Sequence, residues 1–126
     1  MLQFIVVIIT FVLHTGKWAN ASIIQGSSGS ILKARVVTSF SEPWAMTFIN
    51  ENELLVTSKR GKLWVVSTQG KKTEVFGVPD VAFSGQGGLG DIILHPNFVE
   101  NSIVYFSYIE SGKENNKLKG AVVVRA

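Results

Sequence analysis

The sequence contains no cysteine. That excludes a disulfide scaffold, a thiolate zinc site and a cysteine nucleophile, and it is silent on redox compartment, since exported proteins need not contain disulfides. Charge of one sign is scarce as well. Twelve Lys+Arg against nine Asp+Glu leave +3 in 126 residues, scattered along the chain and without the stripe of cations that neutralises phosphates, so no nucleic-acid partner is expected. Long apolar runs are missing too. The uncharged stretch from Leu2 to Leu13 covers 12 residues, short of the roughly 20 that span a bilayer as a helix. No spacing of His, Asp and Glu resembles a metal-ligand set.

What is present divides into a leader and a body. LQFIVVIITFVL has the length of a signal-peptide core, and Ala19-Asn20-Ala21 supplies the small-x-small pattern that a signal peptidase cuts. Cleavage is therefore expected after Ala21, although no Lys or Arg precedes the apolar core. The leader is residues 1–21, leaving 105 of the 126 residues to act in the periplasm or outside the cell, with no stable membrane insertion. Residues 22–30 (SIIQGSSGS) are rich in Gly and Ser and predict a flexible exit segment.

From Ile31 onward the pattern is all-β. Short runs rich in Val, Ile, Phe, Trp and Thr (ILKARVVTSF, PWAMTFI, ELLVTS, KLWVVS, TEVFGV, LGDIILH, SIVYFSYI, GAVVVRA) alternate with turn residues, and nothing predicts a helix. The strands repeat. Laying WAMTFINENELLVTS over LGDIILHPNFVENSIVYFS maps Ile49 onto Leu94, 45 residues on, and Leu54 onto Ile103, 49 residues on. Four short strands per roughly 40–50 residues is the period of a propeller blade. About two blades fit into residues 31–126, the second ending at Ala126 after three strands. A propeller needs at least four blades, so this segment is expected to be the N-terminal, truncated part of a larger ring.

The most unusual segment is Gly85-Gln86-Gly87-Gly88-Leu89-Gly90-Asp91. Glycines around one glutamine let the backbone turn tightly and leave the Gln86 amide projecting, both donor and acceptor, for a small polar ligand. A tight turn between blades, with Gln86 satisfying backbone groups, accounts for the same residues.

In ordered combination, Pro43-Trp44-Ala45, Leu54-Leu55-Val56-Thr57, Gly61-Lys62-Leu63, Gly77-Val78-Pro79, Gly85 to Leu89, His95-Pro96-Asn97-Phe98 and Asn101 with Val104-Tyr105 resemble the glucose/sorbosone dehydrogenase-like family, the soluble PQQ-dependent aldose sugar dehydrogenases. The resemblance runs from about Ile31 to the end. It implies a six-bladed β-propeller in full-length relatives, with PQQ and calcium as cofactors, an aldose substrate and an electron acceptor as partners. The implied reaction is oxidation of the sugar C1 hydroxyl by hydride transfer to the quinone. It also implies that Gln86 contacts cofactor or sugar. The family's catalytic histidine lies later than any position matched here, so the fragment alone is expected to be inactive. This chain has Ser84 where relatives often carry Arg, Ser58-Lys59 where they carry Glu-Arg, and Gly90 where they carry Leu. The missing Arg removes a charge contact to an anionic cofactor.

The remaining candidates have plainer expectations. His95 precedes Pro at a strand end and is expected to be a hydrogen-bonded turn residue rather than a base. Asp91 is expected to accept from backbone, Trp44 and Trp64 to pack between blades, and Lys59-Arg60-Lys62 and Lys71-Lys72 to be solvated hairpin tips. The rival function is a non-catalytic secreted β-propeller module that binds carbohydrate or a protein partner. With faces and edges unpaired, the chain alone is expected to aggregate.

Overall fold

The computed structural model describes residues 21–115 and 117–126. The leader expected over residues 1–21 therefore lies, apart from Ala21, outside the described residues. The chain divides into two compact units, one ending at Val36 and the other running from Val37 to Ala126.

In the first unit, β1 (Ser22–Gln25) pairs antiparallel with β2 (Ile31–Ala34), with Ser22 opposite Ala34 and Gln25 opposite Ile31. A hairpin thus stands where Gly and Ser content predicted an exit segment. Ile23 and Ile24 are β-branched and suit a pleated ladder, and Gly29, at φ 80°, reverses the chain between the strands.

The second unit holds two antiparallel meanders. β3 (Pro43–Phe48), β4 (Glu53–Ser58), β5 (Lys62–Ser67) and β6 (Lys72–Val75) form a four-stranded sheet in chain order. β7 (Leu89–Leu94), β8 (Val104–Ser111) and β9 (Lys119–Arg125) form a three-stranded one. β7 lies across β3 and β4, and Leu55, Leu63, Leu89, Ile92 and Phe106 make a buried core where the sheets meet. Residues of β4 serve both faces. Leu55 and Thr57 meet the second sheet, while Leu54 and Val56 line a hollow on the opposite face with Met46 and Phe48. A sheet apolar on both faces explains why its strands are nearly continuous apolar runs. Two such stacked sheets are consecutive blades of a β-propeller.

One helical turn departs from the all-strand expectation. α1 (Phe98–Asn101) sits between β7 and β8 and ends at Ser102, whose φ of 53° is left-handed and whose N–H donates to the Phe98 carbonyl at 2.7 Å. A single turn is too short to leave a 3.6-residue periodicity in the sequence.

The repeat is real, but its register differs by one residue from the sequence alignment. Phe48 pairs with Leu54 and Leu94 with Val104, so equivalent residues lie 46 apart in the first strand of each blade and 50 apart in the second. Matching Ile49 to Leu94 had put them 45 and 49 apart. A slip of one residue exchanges the two faces of a strand. The corrected register aligns two irregularities that the sequence concealed. Each blade's first ladder is interrupted, between Pro43 and Met46 and between Leu89 and Ile92. In each, a hydroxyl of the second strand takes the N–H that the ladder misses: Thr57 Oγ1 from Ala45 at 3.0 Å, and Ser107 Oγ from Asp91 at 3.1 Å.

Candidate functional site

The Gly85–Gly88 loop enters β7 where the two blades meet. Gly87 N–H donates to the Ser84 carbonyl at 2.8 Å, closing a turn whose second residue, Gly85, has φ 53°. Gly88, at φ 119°, cannot be replaced: a Cβ there would lie 2.0 Å from the Lys59 carbonyl oxygen. That close approach lets Leu89 N–H reach the same oxygen at 3.0 Å and lets the Gly88 carbonyl accept from Ile109 N–H at 3.0 Å. Gly90 is confined by Ser107 Oγ, 2.5 Å from where its Cβ would stand. Gly88 is thus required by the close approach of the first blade, Gly90 by Ser107 of its own blade, and Gly85 by its left-handed backbone alone.

No such constraint accounts for the glutamine. Gln86 is exposed, and among the described residues none is hydrogen-bonded to its amide. It borders a cavity of about 190 Å³ whose lining includes Trp44, Leu89, Ser107, Tyr108 and Ala121. That volume is below the roughly 300 Å³ at which small-molecule pockets begin.

Cations surround the turn. The half-buried Lys59 donates from Nζ to the Gly85 carbonyl at 2.8 Å, and its ammonium lies 5.1 Å from the centroid of Trp44 and 5.9 Å from that of Phe83. Lys119 Nζ donates to Ser84 Oγ. Arg60 sits 4.3 Å over the Phe83 ring and pairs with Glu42. Positive charge therefore reaches this loop from β9 and the β4–β5 turn, although position 84 itself carries serine.

Several sequence expectations change here. Lys59 is more than a solvated tip, because its ammonium is used on the loop; Lys72 is exposed as expected and also donates to the Ser39 carbonyl at 2.8 Å. Trp44 is only partly covered at the meeting of the blades, where it faces Leu89, Ser107 and Tyr108 across a cavity. It is half exposed and borders the Gln86 cavity on one side. Trp64 is flanked by the ammonium groups of Lys62 and Lys72, at 5.5 and 5.6 Å, rather than by the other blade. Asp91 is exposed and acts through its N–H on Ser107 Oγ; no hydrogen bond to its carboxylate occurs among the described residues. His95 holds the β7–β8 corner: its Nδ1 accepts from Asn97 N–H at 3.0 Å, lies 2.9 Å from Asn101 Nδ2, and its ring stacks on Tyr105. Trp44 and Lys59 were the neighbours of Gln86 that sequence did not single out. They sit 42 and 27 positions earlier in the chain, and only the packing of β7 on β3 and β4 brings them to the loop.

The fold and loop define a class of protein, and comparison with known proteins agrees. Residues 40–126 match the family described as Glucose / Sorbosone dehydrogenase, and the chain belongs to it. It is 32% identical over 114 residues to an uncharacterized protein of Synechocystis sp., covering 83% of this chain and 28% of the relative. It is 39% identical over 75 residues to Aldose sugar dehydrogenase YliI of Escherichia coli, covering 57% and 20%. Among solved structures, the apo-form of the soluble aldose sugar dehydrogenase from Escherichia coli superposes with a TM-score of 0.61 at 34% identity, over 67% of this chain and 24% of the other. The PQQ-bound aldose sugar dehydrogenase from Streptomyces coelicolor shares the fold, with a TM-score of 0.57 at 24% identity over 85% and 34%. The chain spans about a quarter of the length of the curated relatives it matches.

Proposed function

We propose that this chain contributes two blades and the Gln86 contact to an exported, quinone-dependent aldose dehydrogenase that oxidises the C1 hydroxyl of an aldose. The observation that carries the reading is the Gln86 amide, exposed on a glycine-framed turn beside a half-exposed tryptophan and without a protein partner among the described residues. An amide can donate to a carbonyl or carboxylate oxygen and can donate to or accept from a sugar hydroxyl. The Trp44 face suits a sugar ring or a planar quinone, and the Lys119 ammonium suits a carboxylate. The residues present therefore fit PQQ as well as an aldose. When bound, the quinone supplies the hydride acceptor.

The chain's own share is binding and orientation. Gln86 would fix the ligand by hydrogen bonds, and Trp44 would cover an apolar face. His95 is not assigned the C1 hydroxyl proton, since its Nδ1 is engaged within its own corner. Calcium is assigned to no residue here: among the described residues no three His, Asp or Glu converge. Export rests on the 1–21 leader. No helix among the described residues is long and apolar enough to cross a membrane.

The test is reconstitution of the natural gene product with PQQ and calcium, following reduction of an electron-accepting dye by a panel of aldoses. Dye reduction is expected, falling about 10- to 100-fold in kcat/KM in Gln86→Ala, as for loss of one or two hydrogen bonds to a buried polar ligand. The 126-residue chain alone is expected to reduce no dye. Absence of reduction by the natural product across the whole panel would leave the carbohydrate- or protein-binding module.

A further inference from the structure

We propose that Lys59 is a positioning residue that clamps the Gly85–Gly88 loop and so sets where the Gln86 amide is presented; the functional part of this inference rests on the proposed role of Gln86. All three polar groups of Lys59 are committed. Its N–H donates to the Glu42 carbonyl at 3.0 Å, its carbonyl accepts from Leu89 N–H at 3.0 Å, and its ammonium donates to the Gly85 carbonyl at 2.8 Å. One residue therefore holds the start of β3 and both sides of the glutamine.

The ammonium is also held. It lies 5.1 Å from the centroid of the Trp44 ring and 5.9 Å from that of Phe83, within reach of attraction to both rings. Its hydrogen bond falls on the residue immediately before Gln86. Gly85 has nothing within 4 Å of a would-be Cβ, so side-chain packing does not restrain that residue, and a charge-assisted hydrogen bond is the restraint that remains on its carbonyl. Lys119 touches the loop only through the exposed Ser84 hydroxyl, one residue further away.

The experiment compares the natural gene product with Lys59→Met, which keeps the stem and removes the donors, and with Lys59→Arg, which restores them. Hydrogen exchange followed by mass spectrometry is read first, without cofactor or sugar. Lys59→Met is expected to speed exchange in a peptide spanning Gly85–Gly88 about tenfold, the loss of one charge-assisted hydrogen bond, while β4 and β8 peptides stay unchanged and Lys59→Arg returns the loop to the wild-type rate. An unchanged loop, or a uniform rise through β4, β5 and β8, overturns the proposal. If Lys59→Met does not fold, Lys59→Gln carries the comparison for the charge alone, removing it while keeping a polar end. Dye reduction is read second: Lys59→Met is expected to raise KM with little change in kcat, and Gln86→Ala is expected to cost several-fold less in the Lys59→Met background than in wild type. Additive losses overturn the action through Gln86. An ordered loop in a protein that oxidises no sugar defeats the dehydrogenase reading alone, whereas a working enzyme with an unaltered Lys59→Met loop defeats only the role of Lys59.

Discussion

Gly85 and Gly88 have positive φ within four residues of each other, yet they answer to different constraints. At Gly85 a side chain would meet open space, and only the left-handed backbone opposes it. Gly85→Ala is therefore expected to cost roughly 1–2 kcal/mol. At Gly88 a Cβ would strike the Lys59 carbonyl at 2.0 Å, so Gly88→Ala must push the blades apart and is expected to cost more than about 3 kcal/mol. Urea denaturation of the two variants in the natural gene product reads the difference, and equal losses would refute the close approach. Thr57 is the other decisive residue. Fully buried, it accepts from Ala45 N–H and donates to the Gly90 carbonyl at 2.9 Å, so one hydroxyl serves both blades. Thr57→Val keeps the shape and strands both partners, for an expected loss of roughly 2 kcal/mol or more.

At the scale of the element, the recurring unit is a bulged first pair of strands patched by a hydroxyl. Ser107 repeats the patch of Thr57 but bridges no blades, and Asp91 is exposed, so water can replace the bond. Ser107→Ala should cost under about 1 kcal/mol in the same denaturation experiment, well below Thr57→Val. The repeat also extends to the residue before each first strand. Glu42, at φ 50°, precedes β3 as Gly88 precedes β7, and each gives its carbonyl to the equivalent residue of the second strand, Lys59 and Ile109. Alternating and continuous apolar runs made seven of these strands legible, since β-branched residues and Gly or Asn turns mark them directly. The bulges were not legible, because an interrupted ladder leaves the residue types unchanged. The loop's glycines and the projecting Gln86 were visible in sequence; Lys59 and Trp44 were not, because their proximity is created by the stacking of sheets.

For the whole molecule the governing fact is that both outer faces of the blade pair are apolar. Met46 and Phe48 are 64% and 58% exposed on one side, and Ile93 and Val123 are 61% and 74% exposed on the other. Contiguous apolar surface of this kind drives association, so the 126-residue chain expressed alone is expected to form aggregates in light scattering. The double substitution Met46→Lys and Phe48→Lys is expected to raise the monomer fraction several-fold. A cooperative, monomeric melt of the unmodified chain would contradict this.

The bonds between blades are not spread evenly. Thr57 to Gly90 and Lys59 to Gly85 and Leu89 all gather at the Gln86 end. At the opposite end Ile49, Phe76, Phe98, Val104 and Ala126 border an apolar hollow of about 340 Å³. The two blades are jointed like a book, bound along the spine that carries the glutamine and loose at the far margin. A pair of blades joined in this way is expected to part first at the hollow while the Gln86 end stays together.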